Sequence, residues 1–127
     1  MSVFLDASAI TKLIVDEPES AALERRVAGK TLVTSRVAVV EVTKAVARVD
    51  PGAEPWDVLS RLAFVELDAD LARFAGTTGG ASLRALDAIH VASALRLARD
   101  IEAFVTYDDR QADAARAAGL DVAAPAP

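Results

Sequence analysis

The stretch Val3-Phe4-Leu5-Asp6-Ala7-Ser8 decides how the rest of the chain is interpreted. Three apolar residues run into a single carboxylate, which is typical of a buried strand whose last residue emerges at the edge of a sheet. In open α/β sheets, ligands bind just outside the carboxyl ends of the strands. Asp6 therefore stands where a functional site is expected, provided that later segments supply partners for its carboxylate.

Beyond this stretch, short apolar segments alternate with helical patterns. Strands are predicted over residues 31–34, 64–67, 103–106 and 120–122, and helices over residues 9–15, 19–28, 35–49, 55–62, 69–78, 83–99 and 110–118. Ser8 is expected to cap the first helix, Ser35 to open the third, and Asp68 to cap the fifth. The Val-rich start of the third also resembles a strand, but the pattern continues too far for one. Alternating strands and helices predict parallel pairing and an α/β fold, a three-layer α/β/α sandwich.

Composition indicates one globular domain, with 53% hydrophobic and 26% charged residues in 127. We assign residues 1–122 to it and residues 123–127 to an unstructured tail. The chain has no cysteine, which excludes disulfides, thiolate metal sites and a cysteine nucleophile and is compatible with a cytoplasmic protein. We find neither a signal peptide nor an apolar run near the ~20 residues of a membrane span. The net charge of −5 argues mildly against a nucleic-acid partner, unless the acids are concentrated in a metal-binding cleft.

Four carboxylates occupy positions where solvation is expected to be poor or where strand ends converge: Asp6, Glu41, Asp87 and Asp108. If the first and fourth strands are neighbours, two of these acids emerge side by side, and helices packed near that edge can deliver the other two. Such acids cannot share a small site without a cation, because repulsion and desolvation would protonate some of them. Oxygen ligands without His or Cys suit Mg²⁺ or Mn²⁺, with Thr106 and Ser8 as supporting hydrogen-bond donors.

Each acid also has a purely structural interpretation. Glu41 is placed to pair with Lys44 one turn on, a contact worth ~0.2–0.5 kcal/mol. Asp87 is placed to interact with a helix dipole, and Asp108 to cap the last helix. Asp6 has the weakest such alternative, since an acid that ends a core strand needs a partner. The joint pattern is therefore more informative than any one of its members.

Other candidate sites have less support. His90, the only histidine, is interpreted as a hydrogen-bonded core residue rather than a catalytic one. Ser8 lacks the G-x-S-x-G surroundings of a hydrolase nucleophile, and no phosphate-binding glycine loop is present. A phospho-acceptor domain would need a late lysine, but none follows Lys44.

At these motifs the sequence resembles PIN-domain proteins, and more narrowly the VapC-type ribonuclease toxins of type II toxin–antitoxin systems. The resemblance rests on four segments in order: Leu5-Asp6-Ala7-Ser8-Ala9, Glu41 in a helix after Ser35, Leu86-Asp87-Ala88-Ile89-His90-Val91-Ala92, and Val105-Thr106-Tyr107-Asp108. It implies a central parallel sheet in the order 3-2-1-4-5. It also implies that Asp6, Glu41, Asp87 and Asp108 surround Mg²⁺ or Mn²⁺. Asp108 is preferred to Asp109 because it keeps the Thr-x-Asp spacing.

The resemblance further implies a metal-dependent endoribonuclease that cleaves RNA with a metal-activated water. Its implied partners are an RNA substrate, a VapB-like antitoxin and a second copy of the chain in a homodimer, with no membrane involved. The early helices are placed to line an antitoxin groove with Leu13, Ile14 and Leu23, although these residues also suit the core. The alternative is a catalytically inert PIN-fold module that binds a protein partner.

Overall fold

The computed structural model describes residues 1–127, which form five strands and seven helices. The strands are β1 (Ser2–Leu5), β2 (Thr31–Ser35), β3 (Ala63–Val65), β4 (Ile101–Val105) and β5 (Val122–Ala123). The helices are α1 (Ala7–Ile14), α2 (Ser20–Val27), α3 (Ala38–Val49), α4 (Trp56–Leu59), α5 (Ala69–Thr77), α6 (Ala85–Arg96) and α7 (Asp109–Ala117). The predicted alternation of strands and helices is confirmed.

The strands form one parallel sheet in the order β3-β2-β1-β4-β5, as the resemblance implies. β1 is central, and its Leu5 is in register with Val105 of β4. The carboxyl ends of these neighbouring strands therefore lie side by side, so the residues that follow them emerge together.

Helices cover both faces of the sheet, which confirms the predicted three layers. Side chains of a strand alternate between faces: Val3 and Leu5 pack in one core cluster with residues of α1 to α4, such as Leu23 and Val42. Phe4 points to the opposite cluster, which contains residues of α5, α6 and α7. There Phe4 stacks on Phe104 of β4 with ring centroids 5.2 Å apart, so both faces of β1 are buried.

Two predicted helix starts are wrong. α1 begins at Ala7 with Asp6 as its N-cap, whereas Ser8 lies inside the helix. The helix begins earlier than predicted because the carboxylate that ends β1 accepts the free N–H of Ala9. Ser35 is the last residue of β2, and α3 begins only at Ala38. The Val-rich segment of α3 is helical, as predicted.

The later boundaries also differ from prediction. α6 ends at Arg96 rather than near Arg99. Ala123, assigned to the tail, is paired in β5, and the Tyr107 hydroxyl donates to the Pro125 carbonyl oxygen at 2.7 Å. The tail prediction is therefore wrong for Ala123, and a side chain does hold the segment that follows. No helix combines the length and the apolar character needed to cross a membrane.

Candidate active site

The site begins where β1 and β4 end. The Asp6 N–H donates to the Val105 carbonyl oxygen at 3.2 Å, which continues the pairing of these strands by one step. Asp6 and Thr106 consequently leave the sheet next to each other. Asp6 also caps α1, so its side chain is directed by the strand on one side and the helix on the other.

The carboxylate of Asp6 is held on both oxygens. Oδ1 accepts from Ser8 Oγ at 2.6 Å and from the Ala9 N–H at 3.0 Å, while Oδ2 accepts from Thr106 Oγ1 at 2.5 Å. Burial raises the pKa of Asp6, because the residue is only 4% exposed, although these hydrogen bonds and the nearby His90 lower it. The predicted contacts of Ser8 and Thr106 with this acid are therefore present, and its charge has no Lys or Arg partner.

Asp108 caps the helix that follows β4. Its Oδ1 accepts from the N–H groups of Arg110 and Gln111, at 2.9 and 3.1 Å. The N–H of Asp108 in turn donates to Thr106 Oγ1 at 3.1 Å, so one threonine contacts both strand-end acids. The structural interpretation of Asp108 as an N-cap is thus confirmed, but capping occupies only one of its oxygens.

Glu41 reaches the same region from α3 and is held by His90 of α6. His90 Nε2 donates to Glu41 Oε1 at 2.5 Å. His90 is 1% exposed, and its buried Nδ1 has no hydrogen-bond partner. The expected alternative pair of Glu41 with Lys44 is absent. His90 is therefore a hydrogen-bonded core residue, as predicted, and also fixes one of the four acids.

Asp87 lies in the first turn of α6 and is the least restrained of the acids. Its carboxylate makes neither a hydrogen bond nor an ion pair, while the side chain is half-buried. The pKa of Asp87 is raised, first by burial and next by the charge of Asp108, with Glu41 adding to the effect and His90 and Arg84 opposing it. A nearby cation would favour the charged form of a carboxylate in this position.

The structure brings all four predicted acids to one cavity of about 330 Å³. We call it the acidic cavity. Its charged and polar lining consists of Asp6, Ser8, Thr11, Glu41, Lys44, Arg48, Asp87, His90, Asp108 and Gln111. Asp109 does not line it, which supports the choice of Asp108.

Sequence reasoning did not assign Lys44, Arg48, Thr11 or Gln111 to the site. The sequence spacing could have placed Lys44 and Arg48 at the site, because they follow Glu41 by three and seven residues and so share its face of α3. Gln111 carried no comparable signal. It is 1% exposed with an unpartnered Oε1, and only the packing of α7 brings it to the cavity.

The donors at the acidic cavity fit a hydrated hard cation. All four acids offer oxygen, Asp87 has both oxygens free of hydrogen bonds, and no Lys or Arg pairs with any of the four. No three Asp, Glu or His side chains are grouped tightly enough to enclose a metal ion. Mg²⁺ does not need such a cage, because it keeps several waters and binds through one or two carboxylates. The role of the four acids as metal ligands stays a prediction.

The family model of the PIN domain matches residues 3–117, which include every residue named at the acidic cavity. This chain belongs to the PIN-domain family. The match runs from β1 to the end of α7 and leaves out residues 1–2 and 118–127, which include the short β5.

Curated relatives match over nearly the whole chain. Ribonuclease VapC46 of Mycobacterium tuberculosis is 40% identical over 127 residues, covering 98% of this chain and 98% of the relative. Ribonuclease VapC47 of the same species is 37% identical, covering 97% and 96%. Within the PIN-domain family, this chain is therefore similar to the VapC ribonucleases.

Solved structures agree with the fold at low sequence identity. The crystal structure of M. tuberculosis VapC20, titled a sarcin-ricin loop cleaving toxin, superposes with a TM-score of 0.72 at 18% identity, covering 97% of this chain and 99% of VapC20. VapBC2 from Rickettsia felis, bound to a DNA fragment from their promoter, gives a TM-score of 0.68 at 16% identity, covering 98% and 99%. These likenesses establish the architecture independently of close sequence similarity.

Proposed function

We propose that this PIN domain is a metal-dependent endoribonuclease of the VapC type and the toxin of a toxin–antitoxin pair. One observation carries the proposal: four carboxylates from distant segments surround a single cavity, and none of them pairs with a Lys or Arg. The relatives named ribonuclease, at 37 to 40% identity over almost the full length, support RNA as the substrate.

Asp6 and Asp87 are the residues that would hold Mg²⁺ or Mn²⁺, with Glu41 and Asp108 acting directly or through water. When bound, the ion neutralises charge on the phosphate and makes water a better nucleophile at neutral pH. The chain itself provides orientation, because Ser8 and Thr106 fix the carboxylate of Asp6. Attack of water on phosphorus, with loss of the 3′ oxygen, leaves 5′-phosphate and 3′-hydroxyl ends and needs no 2′-hydroxyl.

The partners in this proposal are a VapB-like antitoxin in the cytoplasm and a second copy of the chain. The likeness to VapBC2 of R. felis supports the antitoxin at the level of the shared fold. The prediction that Leu23 lines the antitoxin groove is wrong, because this side chain is fully buried in the core. Leu13 and Ile14 are only partly buried against this core, so we retain them as groove residues in the proposal. The homodimer stays a prediction.

The test is cleavage of total cellular RNA by the purified chain, with the new 5′ ends mapped by ligation that requires a 5′-phosphate. We expect defined new ends with Mg²⁺ or Mn²⁺, and none with a chelator or with Asp87→Asn. Absence of cleavage by the parent chain in the presence of metal would contradict the proposal, as would equal cleavage by the variant. An inert interaction module would keep its biological effect in the Asp87→Asn variant.

A further inference from the structure

A second cavity of about 340 Å³ adjoins the acidic cavity, and the two share Asp87. We call it the arginine cavity, because Arg84, which precedes α6, and Arg110 of α7 line it. Both volumes fall at the lower end of the ~300–1,000 Å³ that is usual for ligand sites. Asp87, the least restrained acid of the site, therefore lies where the two cavities meet.

Cations border Asp87 on both sides. Lys44 and Arg48 line the acidic cavity from α3, and Arg84 and Arg110 line the arginine cavity. All four are exposed, and none forms an ion pair, although carboxylates lie in the same cavities. Of the ten other Lys and Arg residues, six form ion pairs: Lys12, Arg26, Lys30, Arg36, Arg96 and Arg116. The four cations are thus free for a partner that carries negative charge along its length.

We propose that the RNA strand crosses this site through both cavities, with Lys44 and Arg48 binding phosphates on one side of the cleaved bond and Arg84 and Arg110 on the other. This inference rests on the proposed function and deepens it by assigning the residues that hold the flanking phosphates. Because the two cavities adjoin at Asp87, one backbone can pass from one cavity to the other, and the strand in this proposal is single. Phosphate contacts position the strand and add affinity without selecting its sequence.

The test measures binding of a short labelled oligouridylate at several salt concentrations, with every protein in the Asp87→Asn background to prevent cleavage. One variant is Lys44→Gln/Arg48→Gln and the other is Arg84→Gln/Arg110→Gln. We expect each to weaken binding and to reduce the slope of log affinity against log salt by about 0.7 for every phosphate that the variant no longer binds.

The matched control is Arg73→Gln/Arg99→Gln, which removes the same charge from exposed cations that line neither cavity. For this control, the slope of log affinity against log salt should equal that of the protein that carries only Asp87→Asn. If all three double variants lose the same affinity, only net charge matters and the assignment is wrong. If the parent chain cleaves RNA but neither site variant differs from the control, the inference fails and the proposed function stands. If the parent neither binds nor cleaves RNA, both fail.

A second measurement tests the two-sided arrangement. Once a cleaved bond is mapped, substrates are shortened on the 5′ or the 3′ flank and cut by each double variant carrying the native Asp87. We expect the defect of one variant to disappear when one flank is removed, and the defect of the other to disappear with the opposite flank. If both variants respond to the same flank, the proposed path of the strand is wrong.

Discussion

Asp6 and Asp68 have the same local role but different surroundings. Each follows a strand and caps the next helix, with the Asp6 carboxylate accepting the Ala9 N–H at 3.0 Å and that of Asp68 the Leu71 N–H at 2.8 Å. Asp68 is exposed and also accepts from both terminal nitrogens of Arg96, whereas Asp6 is buried and has no cation. Capping alone therefore does not distinguish a site acid from a structural one.

The difference is one of charge neutralisation. The Arg96 guanidinium holds the pKa of Asp68 below its ordinary value, whereas burial raises the pKa of Asp6 and of Asp87. Glu66 and Glu102 behave like Asp68, since Arg36 and Lys30 lower their pKa values. Asp68, Glu66 and Glu102 are therefore neutralised by cations of the chain, whereas none of the four acids of the cavity pairs with a Lys or Arg.

The sharpest test of this comparison is removal of one charge from each region. Asp87→Asn should reduce RNA cleavage by at least about 100-fold, because it removes a charge that we propose holds the metal ion, and stabilisation of transition-state charge by such an ion is worth several kcal/mol. Asp68→Asn should leave cleavage unchanged, because Asn also caps helices and this residue does not line the cavity. Rates are measured at saturating metal, with circular dichroism to confirm folding. Equal losses in both variants would remove the distinction between the regions.

A smaller effect is expected from the residue that holds Glu41. His90→Leu should lower cleavage by about 10- to 100-fold, because partners that orient metal ligands have effects of that size. His90→Gln retains an N–H donor and should restore part of the loss. Thermal denaturation of the two variants shows whether they are equally folded before their kcat values are compared. If Gln and Leu variants of equal stability have equal rates, the bond to Glu41 has no functional role.

Metal binding should stabilise the folded chain only through the cavity. At a Mg²⁺ concentration 100 times its Kd, the gain in unfolding free energy is about 2.7 kcal/mol. Thermal denaturation of the chelator-treated protein should therefore shift upward with Mg²⁺. The shift should vanish in Asp87→Asn and persist in Asp68→Asn. A shift retained in the Asp87 variant would place the ion elsewhere.

The smallest effect is a pH dependence of opposite sign in the two regions. The pKa of Asp87 is raised above 3.8, so its unfavourable charge in the metal-free chain is relieved as pH falls through the raised value. The pKa of Asp68 is lowered, so its favourable contribution is present at neutral pH and is lost as pH falls through the lowered value. The stability difference between the parent and Asp87→Asn should shrink on acidification towards about pH 4. Urea denaturation across this pH range measures the stability difference. A difference that does not change with pH would contradict the raised pKa of Asp87.

Much of the fold was predictable, because its signals are local. Apolar runs and helical periodicity located all five strands and seven helices, with errors mainly at the ends. The start of α1 was missed because Asp6 was interpreted only as a site acid, although an Asp before a helix is also a strong N-cap. The strand order came from the family resemblance, since the alternation by itself predicts only parallel pairing.

The sequence by itself determined that the chain forms a parallel sheet between two layers of helices. It also determined which four acids were candidates for the site. Only the tertiary structure decided their partners: His90 contacts Glu41 across 49 residues, Thr106 contacts Asp6 across 100, and Arg96 contacts Asp68 across 28. The physical reason is the distance along the chain over which each kind of interaction acts. Periodicity and capping act within one or two turns of chain, whereas strand register and helix packing decide which acid meets a cation and which remains available for a metal ion.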